Sequence, residues 1–255
     1  MYKLHRLKGH IQTIYLAEHP QGLVLLDGCC RADVALVCHF IRHKLKRSLA
    51  ELKLVVVTHM HPDHAGGAHA LRAKTGARIV AADVPGHWYR GLDGMAMHLT
   101  DMALAAWVAK RLGKPMRWLW YSRKLRADIL LGDDSRLPEF PEWRVFHCPG
   151  HTDRDLVLLH EEEGCAYVAD LLVKVKGRFI PPFPLFYPNR YKSSLMKLKC
   201  LAPARVMLAH GGEVSLAEID LDRVLAESPT VPMTHWRSVK TKLRQILNRP
   251  EPPSV

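Results

Sequence analysis

Short apolar runs alternate along the chain with longer segments in which apolar residues recur every three or four positions. The short runs, rich in Val, Leu, Ile and Ala, are typical of β-strands, and the longer spacing predicts helices. Strands are predicted at residues 12–17, 23–26, 54–58, 77–82, 127–131, 143–147, 156–160, 166–169 and 206–209. Helices are predicted at residues 32–47, 65–75, 99–112, 191–201 and 216–226. Because the two element types alternate in both halves, the order predicts a layered α/β domain.

The composition changes between residues 84 and 126. Four of the six tryptophans and four of the nine methionines lie in this segment. We interpret it as a helical insertion in one domain that spans residues 1–255. Since exposed Trp and Met clusters are costly without a partner, the insertion is a lid or apolar wall, a homodimer contact, or a small packing core. A basic helix and tail are predicted at residues 236–255.

Composition and charge narrow the class of protein. The 255 residues are 48% hydrophobic and 24% charged, which is typical of a globular protein and excludes wholesale disorder. The net charge of +12 favours anionic partners. The longest stretch without Asp, Glu, Lys or Arg is residues 179–189, too short for the roughly 20 apolar residues of a membrane span. Six cysteines without paired spacing, and no apolar signal core at the start, predict a cytoplasmic protein.

The strongest chemical signal is the segment THMHPDH at residues 58–64, directly after a predicted buried strand. In an extended segment alternate residues point the same way, so His59 and His61 can reach one ion together. The chain turns at Pro62, and Asp63 with His64 can reach a second point nearby. Imidazole and carboxylate groups suit Zn²⁺, and also Fe or Mn. A cluster of this kind predicts a metal site.

Three later residues complete the set, each close behind a predicted strand. They are His151 in the segment PGHT, Asp170 after residues 166–169, and His210 before two glycines. Singly, each could be a loop residue or a helix cap. Together with the first four they supply seven ligands, which is what two adjacent catalytic ions need while leaving room for water.

These motifs, with Asp27-Gly28, resemble the metallo-β-lactamase-fold superfamily over about residues 12–212. The resemblance implies a four-layer αββα sandwich with the metals at one edge of two sheets. It implies that one ion is bound by His59, His61 and His151, that a second is bound by Asp63, His64 and His210, and that Asp170 bridges them. It also implies that Asp27 supports the ligand loop, in line with the need of ligand histidines for a hydrogen-bond acceptor.

The resemblance favours the hydrolytic branches that act on small substrates, such as glyoxalase II-like thioesterases and lactonases. β-Lactamases of this fold lack the bridging Asp. The flavodiiron branch has a Glu where His61 stands, and the RNA-processing branch needs a longer chain. We therefore predict hydrolysis of an ester, thioester or lactone by a metal-bridging hydroxide that Asp63 and Asp170 orient. The predicted substrate-binding residues, which suit a small anionic molecule, are Lys174, Lys176, Arg178, Tyr187 and Tyr191.

Two other hypotheses stay open at this point. Basic segments at residues 42–47, 123–126 and 237–249 would also suit a metal-dependent nuclease or phosphodiesterase acting on nucleic acid. No RNA-binding module is evident, so this hypothesis is not favoured. The other is a mononuclear iron dioxygenase, which needs three protein ligands where this chain supplies seven.

Overall fold

The computed structural model describes residues 2–234. The basic helix and tail predicted at residues 236–255 lie outside the described residues.

Two six-stranded sheets form the centre of the molecule. The first consists of β1 (Lys3–Lys8), β2 (Thr13–His19), β3 (Gly22–Leu25), β4 (Leu52–Val56), β5 (Arg78–Ala82) and β6 (Ile129–Leu131), in that spatial order. The first three strands pair antiparallel, and β3 to β6 pair parallel. Because β4 lies inside the sheet and is covered on both faces, its sequence LKLVV is almost entirely apolar.

The second sheet follows in the chain. Its strands are β7 (Ser135–Leu137), β8 (Phe140–His147), β9 (Leu156–His160), β10 (Cys165–Ala169), β13 (Arg205–Leu208) and β14 (Gly212–Ser215). Their spatial order is β14-β13-β10-β9-β8-β7. A separate hairpin, β11 (Val173–Val175) and β12 (Arg178–Ile180), lies between β10 and β13 in the chain. Strands β8, β10 and β13 run in one direction, so their carboxyl ends reach the same edge of the sheet.

Helices cover the outer faces of both sheets. They are α1 (Val34–His39), α2 (Pro62–Ala65), α3 (Ala68–Thr75), α4 (Gly91–Arg111), α5 (Pro188–Leu201) and α6 (Leu221–Ala226). Three apolar layers separate these elements. Leu54 and Val56 of β4 face the second sheet and pack with Trp143, whereas Val55 and Val57 face the core under the outer helices. A third core lies between the second sheet and α5 with α6. The fold is thus the predicted αββα sandwich.

Several element boundaries differ from the prediction. The helix predicted at 65–75 is divided at Gly66-Gly67, because the Gly67 amide donates to the Cys29 carbonyl 2.8 Å away. The helix predicted at 99–112 begins earlier, at Gly91, although glycines disfavour a helix. Gly94 lies against the backbone of Tyr89, where a Cβ would come within 2.3 Å, so this turn requires glycine.

The C-terminal prediction at 216–226 was also too simple. A short 3₁₀ helix at Leu216–Glu218 and α6 are separated, and the Asp220 side chain caps α6 by accepting from the Arg223 amide at 2.9 Å. Strands β1, β7 and β14 were missed, since their polar or charged residues hide an edge strand from an apolar pattern. In the part of the chain between residues 2 and 234, no helix is both long and apolar enough to cross a membrane.

Candidate metal centre

Four strands deliver the predicted ligands to one edge of the sandwich. The segment 58–64 follows β4 of the first sheet, while His151, Asp170 and His210 follow β8, β10 and β13 of the second. A backbone hydrogen bond connects the two sheets there, since the Leu156 amide donates to the Thr58 carbonyl at 3.2 Å. Residues far apart in the sequence are therefore brought into one cluster.

The first group of ligand atoms comes from His59, His61, His151 and Asp170, and the ligand atoms lie within 4.8 Å of one another. His61 Nδ1 lies 3.1 Å from His59 Nε2 and 2.8 Å from His151 Nε2. Asp170 Oδ2 lies 3.5 Å from His151 Nε2 and 4.0 Å from His59 Nε2. The three imidazoles therefore point one nitrogen each at a common position that Asp170 also faces.

The second group consists of Asp63, His64 and His210. Asp63 Oδ2 lies 3.0 Å from His210 Nε2 and 3.5 Å from His64 Nε2. Asp170 completes this group with its other oxygen, since Oδ1 lies 3.4 Å from His64 Nε2 and 3.6 Å from His210 Nε2. One carboxylate thus faces both groups, with one oxygen turned to each.

The spacing of these atoms fits divalent ions. A tetrahedral zinc ion with metal–nitrogen bonds of about 2.0–2.1 Å separates its ligand atoms by about 3.3–3.4 Å. The separations in both groups, from 2.8 to 4.0 Å, lie around that value. His64 Nε2 and Asp170 Oδ1 are buried without a hydrogen bond among the described residues. Since such atoms are costly to bury, a bound cation gives them a partner.

Asp27 holds the ligand segment from behind. Its carboxylate accepts from His64 Nδ1 at 2.5 Å, from the Thr58 hydroxyl at 2.8 Å and from the Tyr167 hydroxyl at 2.9 Å. It also accepts from the amides of Thr58 and Gly28. Because His64 donates from Nδ1, its Nε2 is left to face the second group, which is how an acceptor fixes the tautomer of a metal ligand.

A comparable arrangement fixes His151. Its Nδ1 lies 2.6 Å from the Pro184 carbonyl oxygen and donates to it, so Nε2 faces the first group. The loop that carries His151 is held by Asp155, which accepts from the amides of Gly150 and Thr152 at 3.0 and 2.7 Å. Asp155 is itself buried, so these hydrogen bonds lie inside the protein.

In the first group the pKa values of two histidines are lowered, which favours binding of a cation. Burial lowers the pKa of His59 well below its usual range, and the neighbouring His64 and His61 lower it further. Burial and then His61 lower the pKa of His151. Both rings are therefore neutral near pH 7, which is the form that binds metal.

In the second group the pKa values of the histidines shift in the opposite direction. Burial acts to lower the pKa of His64 and His210, but the nearby carboxylates outweigh it and raise both pKa values. For Asp63 and Asp170 burial acts to raise the pKa, yet His64 and His210 hold it well below its ordinary value. The two carboxylates are therefore ionised and offer negative charge to a metal.

The insertion adds residues that the sequence analysis missed. Asp101 of α4 is buried, and its Oδ2 lies 3.7 Å from His61 Nε2, the ring nitrogen opposite to the one facing the first group. The same oxygen accepts from the Tyr89 hydroxyl at 2.8 Å. The Tyr89 hydroxyl lies 3.2 Å from the Met60 carbonyl oxygen, to which Tyr121 also donates. The insertion therefore packs directly on the ligand segment.

A cavity of about 400 Å³ adjoins the ligand segment at His59 and Met60. Its wall comes mainly from the strand ends of the first sheet and from both ends of the insertion. Three arginines contribute to it, together with apolar side chains that include Trp88 and Leu125. The arginines are Arg123, Arg126 and Arg154.

The predicted substrate-binding residues are spread around the centre, and none of the five lines this cavity in the described part of the chain. Lys174 lies beside the second group, since its amide donates to the His210 carbonyl at 3.1 Å. Lys176 lies at the turn between β11 and β12. Tyr187 is half-buried, with the Arg190 guanidinium 5.1 Å from its ring.

The structure gives two of these five residues other partners. Tyr191 is fully buried on α5 and its hydroxyl donates to the Leu171 carbonyl at 3.0 Å, as a core residue does. The apolar spacing of α5, which placed position 191 on the inner face, was the signal for this. Arg178 pairs with Glu227 at 3.1 Å on the surface, so its charge is directed to α6.

Comparison with known proteins identifies the family. The chain matches the metallo-beta-lactamase superfamily over residues 7–210, and it belongs to that superfamily. A hydroxyacylglutathione hydrolase from Cereibacter sphaeroides is 26% identical over 204 residues, which are 80% of this chain and 64% of that protein. The chain thus spans less than two thirds of the length of this curated relative.

Solved structures show the same fold. A metallo-beta-lactamase superfamily protein from the archaeon Sulfolobus tokodaii is 19% identical with a TM-score of 0.62, and the match covers 99% of this chain and 89% of that one. A metallo-beta-lactamase family protein from Thermus thermophilus is 21% identical with a TM-score of 0.63, and the match covers 98% and 83% of the two chains.

Proposed function

We propose that the protein is a binuclear metal-dependent hydrolase acting on an ester, thioester or lactone of a small anionic substrate. The observation that carries the proposal is the position of Asp170, whose two carboxylate oxygens face two separate groups of ligand atoms. An ion pair with one histidine would not require this arrangement, whereas two adjacent cations need an anion between them to offset their repulsion.

His59, His61 and His151 would hold one ion, Asp63, His64 and His210 the other, and Asp170 both. Bound divalent ions would lower the pKa of water towards about 7 and polarise a carbonyl oxygen. The ionised carboxylates of Asp63 and Asp170 would accept hydrogen bonds from the attacking water and so fix its orientation. Similarity to a hydroxyacylglutathione hydrolase supports a hydrolytic reaction.

The cavity beside His59 supports an anionic substrate with an apolar part. Arg123 and Arg126 place positive charge on its wall, where Asp83 is the one acid among the described lining residues, and Arg154 is paired with Asp153 at 2.7 Å. Trp88 and Leu125 offer apolar surface. We therefore propose that the anion binds on the arginine side of the centre rather than at the β11–β12 hairpin, where the Lys174 amide contacts His210. Tyr187, half-buried beside Arg190, stays a proposed hydroxyl donor to the substrate.

We also propose zinc as the native metal and the cytoplasm as the compartment. Five imidazoles and two carboxylates are donors that zinc prefers, although iron or manganese accept the same set. The adjacent Cys29 and Cys30 are buried as free thiols, and so are Cys148 and Cys165. Free thiols of this kind are typical of a reducing compartment.

Metal analysis combined with a substrate panel tests the proposal. Wild-type protein reconstituted separately with zinc, iron and manganese is expected to hold two ions per chain and to hydrolyse a thioester, ester or lactone. Asp170→Asn is expected to lose at least one ion and on the order of 10²-fold in turnover, because a charge-stabilising group is removed. The matched control is Asp222→Asn, an exposed acid on α6.

Three results would contradict the proposal. The first is Asp170→Asn with wild-type turnover and two tightly held ions. The second is a single iron ion per chain with consumption of dioxygen, which would favour the dioxygenase hypothesis. The third is cleavage of nucleic acid phosphodiesters in place of the carbonyl substrates.

A further inference from the structure

Helix α4 of the insertion is apolar on both of its faces. Its inner face carries Ala105 and Ala109, which pack with Leu119 in a small core. Its outer face carries Leu92, Met95, Leu99 and Trp107, whose exposed fractions are 79%, 44%, 50% and 52%. At about 100° per residue these four positions fall within one arc of about 120°. A helix that exposes such an arc is unusual for a surface helix and indicates a partner.

The segment after α4 also exposes apolar side chains. Leu119 packs on Ala105 and Ala109, and the Trp120 ring lies 5.5 Å from His98, so the segment runs back along the helix. It exposes Met116 at 93% and Trp118 at 74%. We call the outer face of α4 together with residues 112–120 the insertion surface.

The second part of the insertion surface and the residues after it are rich in positive charge. Residues 110–126 contain seven Lys or Arg and no Asp or Glu, although they are a small part of a chain with 25 acidic residues. Lys110 lies on the exposed face of α4 and Lys124 is exposed beyond the second segment. Exposed Trp, Met and Leu side chains framed by Lys and Arg are the combination that binds the interface of an anionic bilayer.

We propose that the insertion surface docks on an anionic lipid bilayer, with Met116 and Trp118 entering the headgroup region and the basic residues facing lipid phosphates and carboxylates. Trp prefers this depth because its ring is apolar and its N–H is polar. The proposal concerns attachment to a surface and does not depend on the catalytic function.

Charge argues against the other occupants. A second copy of the chain would bring two strongly basic segments together, and like charges across an interface oppose association. A nucleic acid would satisfy the charges and could stack on the tryptophans. It would not bury the aliphatic side chains of Leu92, Leu99 and Met116, however, whereas docking on a bilayer would remove them from water.

Vesicle sedimentation of the whole chain tests the proposal. Binding is expected to vesicles of phosphatidylcholine mixed with phosphatidylserine, to weaken in high salt, and to be at least tenfold weaker on pure phosphatidylcholine. Each basic residue near an anionic surface contributes on the order of fivefold in partitioning. Tryptophan fluorescence should shift to shorter wavelength on binding.

Two pairs of variants separate the charged and apolar contributions. Lys110→Glu with Lys124→Glu is expected to lower binding to the mixed vesicles more than tenfold, whereas Arg42→Glu with Lys44→Glu, which makes the same change in charge at exposed positions near α1, is not. Met116→Ser with Trp118→Ser should lower binding and the fluorescence shift. Met196→Ser, at a position 46% exposed on α5, should change neither.

Several outcomes would overturn the proposal. These are no binding to either vesicle, equal binding to both, or equal effects of the test and control variants. Binding of an RNA homopolymer without vesicle binding would assign the surface to nucleic acid. A concentration-dependent dimer that Met116→Ser with Trp118→Ser abolishes, again without vesicle binding, would assign it to a second copy.

Discussion

At the scale of single residues, the metal centre divides into side chains that the sequence could predict and one that it could not. The seven proposed ligands follow strand ends, and three of the histidines crowd into one short segment, so their chemistry is visible locally. Asp101 is 40 positions from His61 and shares no motif with it. Its approach to His61 depends on the packing and rotation of α4, which only the folded chain defines.

Asp101 leads to a prediction about metal affinity. Its carboxylate lies on the far side of the His61 ring from the ligand nitrogen, where it can accept the Nε2 proton and hold Nδ1 as the ligand. We expect Asp101→Asn to weaken zinc binding at the first group of ligand atoms by about 10–100-fold, which is typical when a partner of this kind is lost. Competition with a chromophoric chelator measures the affinity.

Asp93→Asn is the control for this variant, because Asp93 is an exposed acid on the same helix. Its zinc affinity should equal that of wild type. If the two variants retained the same affinity, Asp101 would have no role in orienting His61.

At the scale of elements, the apolar pattern predicted the inner strands well and the edges poorly. The strands β4, β9 and β10 are buried on both faces and show as apolar runs. The edge strand β1 has the sequence KLHRLK, whose charges face solvent and conceal its pairing with β2. The insertion was predicted as an element, but its contact with the ligand segment was not, because hydroxyl-to-carbonyl bonds leave no periodic signal.

That contact gives a prediction for Tyr121. Its hydroxyl donates to the buried Met60 carbonyl, in the middle of the ligand segment. We expect Tyr121→Phe to lower the free energy of unfolding by about 1–3 kcal/mol, because a buried acceptor loses a donor. Since Met60 lies between two proposed ligands, zinc affinity should fall as well. Urea unfolding and chelator competition measure the two effects.

Ser228→Ala is the control for the Tyr121 variant. Ser228 is also buried, and its hydroxyl donates to a backbone carbonyl, that of Val224 at 2.7 Å, next to α6 and outside the ligand segment. It should lower stability by a similar amount and leave zinc affinity unchanged. A loss of affinity in both variants would mean that general destabilisation is responsible, and that the contact with Met60 has no specific effect.

At the scale of the whole molecule, the candidate metal centre lies where the two halves of the sandwich meet. The ligands at 59–64 come from the first sheet, and His151, Asp170 and His210 come from the second. The sheets already share the large apolar core that contains Trp143 and Tyr167. Bound ions would add links between the sheets at the edge beyond this core, where polar side chains replace apolar packing.

Removal of metal is therefore expected to lower the melting temperature. A ligand present at about 100 times its dissociation constant stabilises the folded state by about 2.7 kcal/mol. For a domain of this size each kcal/mol corresponds to roughly 2–4 °C. Chelation should then lower the melting temperature by roughly 5–10 °C, and zinc should restore it. In the variant His151→Ala, which lacks one proposed ligand, chelation should lower the melting temperature by less, because the connection from the metal to β8 is lost. An unchanged melting temperature after complete removal of metal would show that the apolar core alone holds the sheets together.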